Sequence, residues 1–135
     1  MNGQQVYIAK DESYPAVVSQ YTDGSQKHFT TWMQESLQTK SGVLRSVRVV
    51  PPLQLANGDR VSIQASDFHY CTPRTNQQYS LYESFELLHC SGEFPKELEQ
   101  YFDGTVCCNV PMTTIERVIY NAGGIVGLTL QKVSN

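Results

Sequence analysis

The stretch Leu53–Ser66, LQLANGDRVSIQAS, restricts this chain more than any other. Leu53 and Leu55 alternate with polar residues before Asn57-Gly58-Asp59, and Val61, Ile63 and Ala65 alternate after it. Asn-Gly readily supplies the positive φ angles of a tight hairpin turn, and alternation of period two puts the apolar residues on one face. Slipping the pairing by one residue would turn that face to water, so the pattern sets the register as well. A lone hairpin is marginally stable at best, so the rest of the chain must supply strands or helices to cover its apolar side.

Two segments offer strands. Val43 to Val50 (VLRSVRVV) is β-branched and stops at Pro51-Pro52, neither of which donates to a ladder. Tyr79 to Cys90 (YSLYESFELLHC) restores alternation, with Tyr79, Leu81, Phe85 and Leu87 on one face. The return strand of the hairpin is predicted to run on into Phe68–Cys71 and to end at Pro73, leaving 72–78 as a loop. HFTTWM (28–33) favours a strand through its aromatic and threonine content, and 34–42 reads as a helical turn or a loop. QVYIA (5–9) and PAVV (15–18) read as extended pieces, and 19–27 as a turn around Asp23-Gly24. Proline at the start and apolar residues at helical spacing predict helices over 95–101 and after Pro111, the second closed by Gly123-Gly124. TVCCN (105–109) and IVGLTLQKV (125–133) complete the strands. The expected class is α+β: one domain over 1–135, mainly antiparallel sheet, with one or two short helices in the C-terminal third.

A chain of 135 residues buries enough surface to fold without disulfides or a metal. Its net charge is -3, and its basic residues are scattered, which argues against duplex DNA as a partner. The opening MNGQQVYIAKDESYP has no apolar core of signal-peptide length, and no run is long enough to span a membrane, so the cytosol is the expected location. The four cysteines, Cys71, Cys90, Cys107 and Cys108, are expected as free thiols. With His69 and His89 they are numerous enough to ligate zinc, but the paired spacing of structural zinc sites is missing, and no cofactor is expected. Eight tyrosines, few charges and an apolar C-terminal strand suit homo-oligomerisation.

Chemistry concentrates in FHYCTPR, Phe68 to Arg74. On a strand, His69 and Cys71 share one face and Phe68 and Tyr70 the other. Side chains two apart on one strand lean in parallel, which suits a Cys-His catalytic pair badly; a cysteine- or histidine-dependent enzyme using Cys71 or His69 is the alternative reading. Thr72, Arg74 and Asn76 bring hydroxyl, guanidinium and amide groups beside the aromatic Phe68 and Tyr70. Guanidinium forks match phosphate oxygens and aromatic rings stack on bases, so these are the parts of a nucleotide-binding patch. The same composition also describes a polar loop with a solvated arginine.

VSIQASDFHYCTPR (61–74) and VPMTTIERVIYNAGGI (110–125) resemble small proteins of tailed phages and prophages. Relatives carry Tyr-Gly-Tyr before the Val-Pro helix; here TVCCN stands in its place. The resemblance implies a host-takeover or anti-defence factor, with the nucleotide-sequestering Thoeris anti-defence family as one model. It would then be a non-enzymatic sponge in the host cytosol, with a pocket at a subunit interface. Arg74 with Arg45 or Arg60 would face phosphates, and Phe68, Tyr70 or Tyr82 would stack on a base. A block on a host protein and an assembly role in a phage particle are the other functions the resemblance allows.

Overall fold

The computed structural model describes residues 17–20, 28–41, 46–91, 93–125 and 129–132. In chain order they form β1 (Val17–Gln20), α1 (Phe29–Ser36), β2 (Gln38–Ser41), β3 (Ser46–Val49), β4 (Leu53–Gln54), β5 (Arg60–Gln64), β6 (Ser84–Ser91), β7 (Cys107–Pro111), α2 (Met112–Asn121) and β8 (Thr129–Lys132). Short 3-10 helices cover Tyr79–Leu81 and Lys96–Tyr101. The described strands all pair antiparallel, in a four-stranded sheet of order β4-β5-β6-β7 and two two-stranded ones, β1-β8 and β2-β3. The fold is α+β and mainly sheet.

The hairpin forms in the register its alternation demands. Leu53 lies opposite Val61, and the Leu55 amide donates to the Asp59 carbonyl across the turn. Gly58 takes φ 98°, and the Asn57 side chain accepts from the Asp59 amide. β6 is central, with Leu87 opposite Ile63 and Phe85 opposite Val110. Above it the rings of Phe29, Tyr82 and Tyr79 pack in a chain: Phe29–Phe85 at 5.5 Å, Tyr82–Phe85 at 5.7 Å and Tyr79–Tyr82 at 5.9 Å between centroids. From α2, Ile115, Val118 and Ile119 enter the same core, and Gly123 and Gly124 follow it at positive φ.

Three expectations are corrected. HFTTWM is the start of α1, not a strand: His28 caps it, its Nδ1 accepting from the Thr30 amide, and Phe29 and Met33, four residues apart, bury one face. Burial at helical spacing outweighs the strand propensity of Phe, Thr and Trp. β5 stops at Gln64 and does not continue through Phe68–Cys71. Ser66 diverts the backbone: its hydroxyl accepts from the Phe68 amide and its carbonyl from the His69 amide, a serine turn that competes with ladder pairing. Finally, Leu81 is 61% exposed, because the 3-10 turn breaks the alternation before Phe85 and Leu87. The predicted helix over 95–101 is likewise 3-10, with Leu98 buried.

The expected piece at 5–9, residues 21–27 of the turn expected over 19–27, Arg45 and residues 126–128 lie outside the described residues. β8, expected as an oligomerisation strand, has one edge taken by β1 of the same chain. Among the described residues no helix is long and apolar enough to cross a membrane.

Candidate ligand-binding loop

The segment from Ser66 to Gln78 carries no strand, yet it is tied down along its length. The Asp67 amide donates to Asn76 Oδ1, joining the two arms of the loop. The Tyr70 amide donates to Glu86 Oε1, and the Tyr70 carbonyl accepts from the Asn109 amide. Thr72 bridges to Ser84, and its hydroxyl accepts from Asn109 Nδ2. Asn109 makes these contacts from φ 51°, a conformation that asparagine tolerates better than most residues. Deeper, the Tyr82 hydroxyl donates to the Thr75 carbonyl and accepts from the Gln77 amide.

This scaffold presents Phe68 and Tyr70 to solvent at 54% and 46% exposure. The Arg74 guanidinium carbon sits 5.0 Å from the centroid of the Tyr70 ring, a cation–π contact, and one guanidinium nitrogen approaches the Phe68 carbonyl at 3.4 Å. Phe68, Tyr70 and Arg74 therefore come together as one patch, with Thr72 and Asn76 exposed on the same loop. Two other candidates do not join it. Tyr82 is buried in the aromatic core and spends its hydroxyl on the loop backbone. Arg60 stands at the turn end of β5, roughly 13 Å along the strand from Gln64 at 3.3 Å per residue, and the loop begins beyond Gln64.

His69 and Cys71 both turn to Ser66, not to each other. His69 Nδ1 pairs with the Ser66 hydroxyl at 2.7 Å, and Cys71 Sγ donates to the Ser66 carbonyl at 3.2 Å. Burial lowers the His69 pKa, opposed by the Glu86 carboxylate. Burial pushes the Cys71 thiol up, so its reactive thiolate is disfavoured. Cys107 is pushed up to about 11, again chiefly by burial. Among the described residues no group of three or more His, Cys, Asp or Glu side chains is placed to hold a metal ion.

The residues of FHYCTPR and its flanks carry no sign of the inner face of the loop. Arg48 on β3 donates to the Gln77 carbonyl at 2.9 Å and lies 4.7 Å from the Tyr79 ring centroid. β3 reaches this position because Gln64 acts as a strand edge: its amide donates to the Val50 carbonyl at 2.7 Å and accepts from the Val50 amide at 2.9 Å. The signal was present in the spacing of VLRSVRVV, where Arg48 interrupts an apolar run. Burial pushes the Tyr79 phenol up, and the neighbouring Arg48 charge pulls it partly back.

A separate concavity of about 330 Å³ opens at the other end of the sheet, beside the hairpin turn. Asp59, Glu93 and Glu97 line it against a single Lys96, so its charge opposes an anion. Asp59 there is bound by His89 Nε2 at 3.2 Å. No protein-family model, curated protein or solved structure matches the chain.

Proposed function

We propose that this is a non-catalytic binding protein whose Ser66–Gln78 loop holds a small anionic ligand carrying a planar ring, of the nucleotide class. The observation that carries the reading is the Arg74–Tyr70 stack beside exposed Phe68 on a loop pinned at both arms. A ring stacks on Phe68 or Tyr70, and the guanidinium meets a phosphate. The buried thiol of Cys71, whose hydrogen bonds go to backbone carbonyls, supports binding over covalent chemistry.

Ligand sites are usually concave, and none of the concavities at 57–59 with 93–97, at 87–89 with 105–107 or at 30–34 with 78–80 is lined by Phe68, Tyr70 or Arg74. A second copy of the chain laid over the patch would supply the missing wall, which is the arrangement implied by the resemblance to sequestering anti-defence proteins. Light scattering with size-exclusion chromatography tests the oligomer. Mass spectrometry of gently purified, then denatured protein is expected to release a nucleotide. Cyclic dinucleotides and cyclic ADP-ribose isomers are expected to raise the melting temperature in the parent, and less in Arg74→Met and Tyr70→Ala. If no small molecule is released and no member of that panel shifts the melting temperature, the reading fails.

A further inference from the structure

Phe94 lines two concavities, and no residue lining either belongs to the Ser66–Gln78 loop. One, of about 330 Å³, is acidic: Asp59, Glu93 and Glu97 line it with a single Lys96. The other, of about 150 Å³, is mainly apolar, lined by Leu87, Leu88, Phe102 and Val106 together with His89. The Phe94 ring packs on both Phe102 and His89, with centroids 5.2 and 5.7 Å away. A hydrogen bond of 3.2 Å between His89 Nε2 and Asp59 Oδ2 ties the two concavities together a second time.

Three features of this face call for an occupant. Leu88 and Phe102 expose apolar surface beside the smaller concavity. The His89 side chain is almost wholly buried, yet its Nδ1 has no partner among the described residues. A carboxylate only accepts, so Nε2 carries the proton toward Asp59, and in the neutral ring Nδ1 is left as an acceptor. In the acidic concavity Asp59 is held by His89, and Glu97 accepts from Asn121 Nδ2 at 2.9 Å, while exposed Glu93 has no partner among the described residues. Ligand pockets usually run to about 300–1,000 Å³. The acidic concavity is at the small end of that range and the apolar one below it, so each suits one side chain better than a whole small molecule.

We infer that this face docks a segment of another protein that carries an apolar side chain close to a lysine or arginine. The apolar side chain covers Leu88 and Phe102, the cation meets Glu93 and its neighbouring carboxylates, and His89 Nδ1 accepts an N–H of the segment. A basic partner suits the acidic concavity better than a second copy of this chain, whose net charge is -3. The surface shares no residue with the Arg74 patch, so it stands or falls apart from the ligand reading.

Short peptides are the probe. Four acetylated, amidated peptides in a Gly-Ser background carry Leu-Arg, Arg-Leu, Leu-Ser-Arg or Arg-Ser-Leu, covering two spacings in both directions. Backbone amide shifts are followed by NMR at low salt, with peptide taken into the millimolar range that so small a contact implies. At least one peptide is expected to give saturable shifts confined to 57–61, 87–89, 93–97 and 102–107, with the His89 Nδ1 resonance moving as well. Replacing its Leu by Ser, or its Arg by Glu, should weaken binding about tenfold. Glu93→Gln should weaken it about threefold, and Leu88→Ser more; both sites are exposed, so folding should be little changed. Arg74→Met should leave it unchanged. The inference is overturned if none of the four peptides shifts those amides, or if the Ser or Glu peptide binds as tightly as its parent. It is overturned too if binding survives Glu93→Gln and Leu88→Ser combined, or is lost in Arg74→Met. Shifts of the same amides on simple dilution, abolished by Leu88→Ser, would make the face a contact between copies and also overturn it.

Discussion

Tyr82→Phe asks whether this tyrosine builds the loop or serves a ligand. Its ring stays in contact with Phe85 and Tyr79 in the variant, so the packing terms nearly cancel. What goes is one hydroxyl, which donates to the Thr75 carbonyl and accepts from the Gln77 amide at 3.2 Å. Each such bond contributes about 1 kcal/mol net, and leaving the half-buried Gln77 N–H without an acceptor adds to the loss. The expected destabilisation is about 2 kcal/mol, or roughly 5–10 °C in melting temperature for a chain of this size. Urea denaturation is the assay: the midpoint should fall while the slope, which follows the surface exposed on unfolding, stays the same. Hydrogen exchange supplies the local readout, since the Gln77 amide should lose protection more than the β6 amides do. A loss below about 0.5 kcal/mol, the ordinary scatter of surface changes, with unchanged exchange at Gln77 would refute the anchoring role.

Thiol labelling of the folded protein at neutral pH should modify exposed Cys90 first, while buried Cys71 and Cys107 react only on unfolding; mass spectrometry of labelled peptides checks the order. Early labelling of Cys71 would revive the nucleophile reading. For His69, burial holds the folded pKa below its ordinary value of 6.5, so the unfolded chain binds the proton more readily. Its contribution is therefore unpenalised above 6.5, and stability is lost as pH falls through 6.5 toward the lower folded pKa. His69→Asn should flatten the stability–pH curve across that window relative to the parent, as followed by urea midpoints; an unchanged slope would show that His69 does not titrate differently on folding.

The parts of the fold legible in the sequence are those where one local rule acts alone. The Leu53–Ala65 hairpin has alternation and turn chemistry in agreement, and it forms as read. Ile115, Val118 and Ile119 repeat at helical spacing between Pro111 and Gly123-Gly124, and α2 follows. Misreadings fall where two rules conflict. Phe29, Thr30, Thr31 and Trp32 favour strand by propensity, but the cap at His28 and the Phe29–Met33 spacing favour helix, and tertiary burial decides. Ser66-Asp67 was available as a turn signal, yet the apolar residues on either side suggested an unbroken strand. Arg74 with Phe68 and Tyr70 was legible because all three lie within one short segment. Arg48 with Gln77 and Tyr79 was not, because the contact joins β3 to a loop 29 residues away.

The corrected geometry also changes what FHYCTPR can do. A strand would set Phe68 and Tyr70 in parallel, leaning away from the loop that carries Arg74. The Ser66 turn instead curls the segment back, so that Arg74 closes on the Tyr70 ring and on the Phe68 carbonyl. The same curl directs His69 and Cys71 inward to Ser66, where burial disfavours the charged form of each. One turn thus separates the segment into an exposed cationic-aromatic face and a buried, chemically quiet one. Arg48 supplies a second guanidinium under the same loop, held in place by the Gln77 carbonyl. Arg74 and Arg48 both act to lower the His69 pKa, an effect that nearby negative charge opposes. Glu86 and Asp67 supply part of that charge locally, since both bear on His69 against Arg74 and Arg48. An anionic ligand would supply more, so binding should stiffen the loop, and protection of the Gln77 amide is where that stiffening would register.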